Sequence, residues 1–270
     1  MTRAFRAISV AVIAAATMAG CATTTQPGAV GVERRQTLFV SAEQVNQAAA
    51  QQYAQVTQRA NQQGKLNQDE AQTQRVRVIA QRLIPQTAVF RPDAPGWKWQ
   101  VAVLTSPEVN AWCMPGGKMA VYTGLIDKIK PTDDELAAVM GHEIAHALRE
   151  HGRERVSQQM ATSAVVGIGA AILGVGQAGA DVGSALANVT FTLPNSREHE
   201  READRIGVEL AARAGYDPRA AVTLWQKMAQ AGGGAPPQFL STHPAPEARI
   251  EDLKEYAAKV MPLYQAAAKR

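Results

Sequence analysis

Apolar residues recur with helical spacing through most of the chain from residue 69 onward. Asn67-Gln68-Asp69 opens a stretch with Val76, Ile79, Ala80 and Leu83 on one side and Pro85 as its stop, which predicts a helix. Leu136, Ala137, Val139, Met140, Ile144 and Ala147 repeat the spacing behind Thr132-Asp133-Asp134-Glu135, which has the form of a capping box. A further helix is expected from Glu200 through Ile206, Leu210 and Ala211, with Gly215 as its stop. Trp97–Leu104 and Met119–Tyr122 are β-branched or aromatic and alternate, which predicts short strands, with Pro115-Gly116-Gly117 turning into the second. Ser41–Gln63 is rich in Ala and Gln and poor in large apolar residues, so it predicts a helix packed loosely across the domain. The expected fold is α+β and mostly helical, and no internal repeat is visible.

Two stretches are apolar without that punctuation. Ala7–Ala19 follows Arg3 and Arg6 and is shorter than the about 20 residues of a bilayer span, which suits a signal-peptide core. Met18-Ala19-Gly20-Cys21 then has the form of a lipobox, so residues 1–20 are expected to be a lipoprotein signal peptide and Cys21 the acylated residue. More than one acyl chain makes such anchoring stable. Ala22–Gln36 is rich in Thr, Pro and Gly, and residues 21–40 are expected to form a lipidated tether to a domain spanning residues 41–270. In a Gram-negative host, Ala22 rather than Asp after the Cys favours the periplasmic face of the outer membrane. The second stretch, Met160–Asn188, has an apolar centre at Ala164–Val175 interrupted by glycines. It predicts a helical hairpin rather than a span, with enough Gly to serve as a movable flap.

Charge and cysteine content narrow the classes. Without Arg3 and Arg6 the 28 basic residues fall to 26 against 24 acidic ones, so no nucleic-acid footprint exists. The two cysteines are Cys21 and Cys113; a lipidated Cys21 excludes a disulfide scaffold and leaves Cys113 as a buried strand residue.

Candidate chemistry lies in His142-Glu143-Ile144-Ala145-His146. On a helix, residues four apart stand on one face with Cβ atoms about 5–6 Å apart, so both imidazoles can grip one divalent metal with Glu143 placed to act on a water. Glu200 is read as a third ligand and Asp204, four residues on, as a carboxylate orienting one ligand imidazole. Glu198 and Glu202 compete for Glu200's role but point to other faces. The surrounding Arg197, Arg201 and Arg205 also fit a solvated, salt-bridged helix. His151 and His199 share neither ligand face and read as structural histidines.

The motif at 142–146, together with Ser196–Gly207, Asn110-Ala111-Trp112-Cys113-Met114-Pro115-Gly116-Gly117, and Thr242-His243-Pro244 with Arg249-Ile250, resembles the HtpX and CAAX-prenyl-protease type of zinc metallopeptidase, metallopeptidase family forty-eight. The likeness runs from roughly Asp69 to Leu253. It implies a gluzincin-type domain with a small β-sheet beside the active-site helix, one Zn2+ per chain on His142, His146 and Glu200, and Glu143 as general base. It also implies that His243 or Arg249 is an oxyanion donor or, for His243, a regulatory fourth ligand. Gly117, Lys118, Met119, Ala120 and Val121 resemble the family's substrate-binding edge strand. The expected function is a zinc endopeptidase of the cell envelope acting on unfolded or misassembled envelope proteins, membrane-attached through the lipid on Cys21. The alternatives are a chaperone-like binder with latent proteolysis and a structural lipoprotein with a vestigial metal site.

Overall fold

The computed structural model describes residues 21–172, 182–231, 237–244, 247–267 and 269. The expected signal peptide, the Cys21 side chain and the turn of the expected hairpin lie outside what is described. Strands β1 (Cys21–Ala22) and β2 (Gln36–Thr37) pair antiparallel ahead of helices α1 (Ala42–Gln62) and α2 (Glu70–Leu83). Strands β3 (Gln100–Leu104), β4 (Ala111–Met114) and β5 (Lys118–Tyr122) follow. Helices α3 (Thr123–Ile129), α4 (Asp133–Leu148), α5 (His151–Ile172), α6 (Val182–Phe191), α7 (Arg197–Arg213), α8 (Ala220–Gln230), α9 (Gln238–Thr242) and α10 (Glu247–Ala267) complete the domain. None of the described helices is long and apolar enough to cross a membrane.

The fold is mostly helical with a small sheet, as expected from the sequence. The sheet runs in the order β3-β5-β4, with β3 parallel and β4 antiparallel to β5. Successive strand side chains point to opposite faces. Val103, Cys113, Met119 and Val121 therefore join a core shared with α4 and α7, while Ala102, Leu104, Trp112, Met114 and Ala120 join a second core with α1 and α6. Burial on both faces explains why strict polar alternation is missing from these strands. The first strand is shorter than its sequence pattern: Trp97 and Trp99 stack on each other outside the ladder.

Helix α4 is buried from Glu135 to Leu148 and begins with the expected capping box. Thr132 N donates to Glu135 Oε2 at 2.8 Å, and Glu135 N donates to Thr132 Oγ1 at 3.2 Å. Glu135 also accepts from Lys227 Nζ at 2.6 Å and Thr223 Oγ1 at 2.7 Å, docking α8. Helix α7 crosses α4 where two glycines meet. A Cβ on Gly141 would lie 2.9 Å from Gly207 O, so no larger residue fits without separating the helices.

Residues 22–40 depart from the expected tether. Val30 and Val32 are buried in the main core. Val30 N donates to Glu209 Oε2 at 3.0 Å, Gln26 N to Phe90 O at 2.8 Å, and Arg34 pairs with Glu154 and Glu202. These few anchors convert a Thr-, Pro- and Gly-rich stretch into a strap on the domain. The two arms of the expected hairpin are α5 and α6, which pack on each other, and α6 also packs on α1.

Candidate metal centre

Four groups on three elements converge where α4 and α7 cross. His142 Nε2 lies 3.0 Å from His146 Nε2 and 3.5 Å from Glu200 Oε2, and His146 Nε2 lies 3.3 Å from Glu200 Oε1. His243, just past α9, brings its Nδ1 to 3.2 Å from His142 Nε2 and 2.9 Å from Glu200 Oε1. All four side chains are buried, and one ligand atom from each fits within 4.8 Å of the others.

The chemistry of the set fits a cation. Asp204 Oδ1 lies 3.0 Å from His142 Nδ1, which places that ring's hydrogen on Nδ1 and leaves Nε2 as a lone pair facing other acceptors. Lone pairs facing one another in a buried site repel unless a positive charge stands among them. Tetrahedral zinc with bonds of about 2.0–2.1 Å to nitrogen and oxygen implies about 3.3 Å between ligand atoms. The observed separations among His142, His146 and Glu200, 3.0 to 3.5 Å, bracket that value.

Glu143 stands beside this cluster. Its Oε1 is buried without a hydrogen-bond partner, 4.0 Å from His142 Nε2 and 3.5 Å from His243 Nε2. Burial raises the Glu143 carboxyl above its ordinary value, against the lowering by His243 and His142. Burial acts the same way on Glu200, but His243, Arg249 and His142 outweigh it and hold that carboxyl well below its ordinary value. Two neighbouring carboxylates are thus pushed apart in proton affinity, a pattern that separates a proton acceptor from a permanently ionised group.

Arg249, from α10, is 3% exposed. Its Nη1 pairs with Glu200 Oε2 at 2.7 Å, its Nη2 with Asp204 Oδ1 at 2.8 Å, and its Nε with Asp204 Oδ2. The guanidinium lies over the Trp225 ring, 3.8 Å from its centroid. These contacts turn its donors toward the carboxylates behind the cluster. Burial would raise Asp204, yet Arg249 and His142 bring it below its ordinary value.

The two competitors of Glu200 point elsewhere. Glu198 is half-buried and pairs with Arg201. Glu202 is buried on another face, where Arg149, Arg34 and His151 surround it. His151, expected to share no face with the ligands, contacts one of them. Its Nδ1 lies 2.8 Å from His146 Nδ1 and its Nε2 2.9 Å from Glu202 Oε2. The face argument fails here because α4 ends at Leu148 and Glu150 takes a left-handed conformation (φ 50°), folding His151 back onto His146. Burial pushes His151 down to about 3, so it is neutral near pH 7. His199 stacks on His151 with centroids 4.4 Å apart and sets its Nε2 3.1 Å from Glu154 Oε2.

Gly117–Val121, expected at an edge, enters the central strand β5, whose backbone is engaged by β3 on one side and β4 on the other. The edge beside the cluster is β4. Its residues Ala111–Met114 line a cavity of about 50 Å³ with Glu143, His146, His243, Arg155 and Val189. Arg155 was absent from the expected site. It binds Val189 O and Asn195 Oδ1 at 2.7 and 2.8 Å, and burial lowers it to about 10. Cys113 lies in β4, buried and without a disulfide.

The sequence matches a known family and several known proteins. A family model described as Peptidase family M48 covers residues 70–257. The mitochondrial metalloendopeptidase OMA1 of Schizosaccharomyces pombe is 39% identical over 161 residues, 59% of this chain and 47% of that protein. Its Arabidopsis thaliana counterpart is 38% identical over 160 residues, 59% of this chain and 32% of the relative. The beta-barrel assembly-enhancing protease of Escherichia coli is 28% identical over 171 residues, 60% of this chain and 35% of the relative. The chain thus spans about a third to a half of the length of these relatives. With the family model covering more than half of the chain, and the clustered His142, His146 and Glu200 inside the match, this protein belongs to peptidase family M48.

Proposed function

We propose that the protein is a zinc-dependent endopeptidase, held at the cell envelope by a lipid on Cys21, that cuts unfolded or misassembled envelope polypeptides. The observation that carries the catalytic part is the convergence of His142, His146 and Glu200 beside Glu143, whose Oε1 is buried without a hydrogen-bond partner. His142, His146 and Glu200 would hold one zinc ion, which when bound supplies Lewis acidity toward a peptide carbonyl and activates water near neutral pH.

The remaining roles belong to the chain. Glu143, with its proton affinity raised by burial, takes the proton of the attacking water and returns it to the leaving amine. Asp204 holds the His142 ring, and Arg249 keeps Asp204 and Glu200 ionised. An extended substrate pairs with the outer edge of β4 rather than with β5, because β4 has the free side and lines the cavity. That cavity has room for a few water molecules, so α6, α9 or both move aside to admit a chain.

The envelope assignment is supported by the lipobox at Met18–Cys21 and by the likeness to the beta-barrel assembly-enhancing protease of Escherichia coli. Residues 1–20 as signal peptide and 41–270 as the peptidase domain belong to the same proposal. A second reading, a chaperone-like binder with latent proteolysis, is favoured by His243 Nδ1, which stands at the fourth corner of the cluster.

Zinc quantification together with casein cleavage tests the catalytic reading. Glu143→Gln is expected to keep zinc at the wild-type level and to lose about 10²–10⁴-fold in turnover. Cleavage within a factor of a few of wild type would remove Glu143 from the mechanism. Incorporation of labelled palmitate into wild type but not Cys21→Ala tests the anchor.

A further inference from the structure

We propose that Arg34 is a positioning residue for the metal site, fixing the tautomer of His146 through Glu202 and His151. This rests on the zinc reading above and extends it to a residue outside the span matched by the family model, residues 70–257.

A row of hydrogen-bonded side chains links Arg34 to His146. A neutral imidazole has one N–H and one lone pair. Beside Arg34 and Arg149, Glu202 is an ionised acceptor, so His151 carries its hydrogen on Nε2 and donates it to Glu202 Oε2 at 2.9 Å. His151 Nδ1 is then a lone pair, and it accepts from His146 Nδ1–H at 2.8 Å. His146 Nε2 is left without a hydrogen and faces Glu200 Oε1 at 3.3 Å and His142 Nε2 at 3.0 Å. The chain thus presents a metal-binding lone pair where Asp204 does the same for His142.

Arg34 is placed to hold the far end of that chain. Its fork spans two carboxylates: Nε and Nη2 reach Glu202 at 2.8 and 3.1 Å, and Nη1 and Nη2 reach Glu154 at 2.7 and 2.8 Å. Glu154 also accepts from Gln36 Nε2 at 2.9 Å and faces His199 Nε2 at 3.1 Å. The strap that carries Arg34 is itself tied to Arg149, whose Nη1 donates to Thr25 Oγ1 at 3.2 Å and whose Nη2 donates to Arg34 O at 3.0 Å. Without Arg34, Arg149 remains on Glu202 alone. Glu202 then loses two of the hydrogen bonds that hold it in place, and a displaced Glu202 no longer dictates which nitrogen of His151 carries the hydrogen.

The test uses the full chain stripped of metal and titrated with zinc against a competing chelator, alongside side-chain ¹⁵N spectra of the histidines. Glu202→Gln is expected to weaken zinc binding about 10–100-fold, because an amide can donate where the carboxylate accepted. Arg34→Gln is expected to weaken it by up to about 10-fold and to replace the single His146 tautomer with a mixture. Arg34→Lys, which keeps the charge without the fork, should fall between Arg34→Gln and wild type. Wild-type affinity and a single His146 tautomer in Arg34→Gln would overturn the proposal. So would an affinity loss matched by lower thermal stability with the tautomer unchanged, since that pattern belongs to a structural strap. A wild-type chain that binds no zinc would instead defeat the metallopeptidase reading, and the tautomer spectra would still decide the role of Arg34.

Discussion

Gly207 presses its backbone against His142: a Cβ at Gly207 would stand 2.7 Å from the His142 backbone nitrogen. This contact sets the depth at which α7 lies on α4, and with it the distance of Glu200 and Asp204 from the two imidazoles. Gly207→Ala must push the helices apart. Overpacking of this kind costs about 1–3 kcal/mol, and here it also separates Glu200 from His142 and His146. Thermal melting and zinc titration should both show a loss. A variant that loses stability while binding zinc as tightly as wild type would mean that the crossing does not set the site.

Glu198, Glu200 and Asp204, all on α7, are expected to separate cleanly. Glu200→Ala should strip zinc, Asp204→Ala should weaken its binding about 10–100-fold, and Glu198→Ala should leave it unchanged. The basis is geometric: Glu200 lies 3.3 to 3.5 Å from the His142 and His146 nitrogens, Asp204 lies behind His142, and Glu198 pairs with Arg201 away from them. Metal content of the purified variants decides it, and zinc loss in Glu198→Ala alone would reverse the assignment.

His243→Ala distinguishes latency from catalysis by sign. With His243 Nδ1 at the fourth corner, removal should raise basal cleavage of a short unstructured peptide, because it frees that corner for water. An oxyanion donor would behave oppositely, with a fall of about 10²–10³-fold. Rates are to be compared at equal zinc content.

Acid stability should depend on Glu154. Burial raises its carboxyl, but Arg34, His199 and Gln36 outweigh burial and hold it below its ordinary value. A carboxylate lowered in the folded state adds stability that is fully present above the unfolded value, about 4.3, and disappears as pH falls through the folded value. In metal-free protein with chelator present, Glu154→Gln should melt lower than wild type at pH 7, and the gap should close below about pH 4.3. A gap of constant size across that range would contradict the ion-pair account.

The parts of this site that were readable in the sequence are those fixed by local geometry. The capping box at Thr132–Glu135, the four-residue spacing of His142 and His146, and that of Glu200 and Asp204 all act within one or two helical turns. The position of β5 was not readable. Pro115-Gly116-Gly117 announces that β4 and β5 are neighbours, but β5 is central because β3 pairs with it in parallel, across a connection that leaves no local mark. His151 escaped because one left-handed residue, Glu150, breaks the helical register on which the face argument relied. The strap escaped for a third reason. Its composition reads as unstructured, and Val30, Arg34 and Gln36 find their partners at Glu209, Glu202 and Arg149, more than a hundred residues away.

The pairing of Cys21 with Thr37 bears on where such an enzyme could work. Fifteen free residues between Cys21 and Thr37 would let the cleft wander roughly 21 Å from its attachment point. Stitched into β1 and clasped by β2, the chain has almost no slack at that end. An acyl group on Cys21 would therefore hold the domain close against the bilayer in a restricted orientation. Under the proposed anchoring, the cleft would meet its substrates at the membrane surface rather than at the end of a long leash.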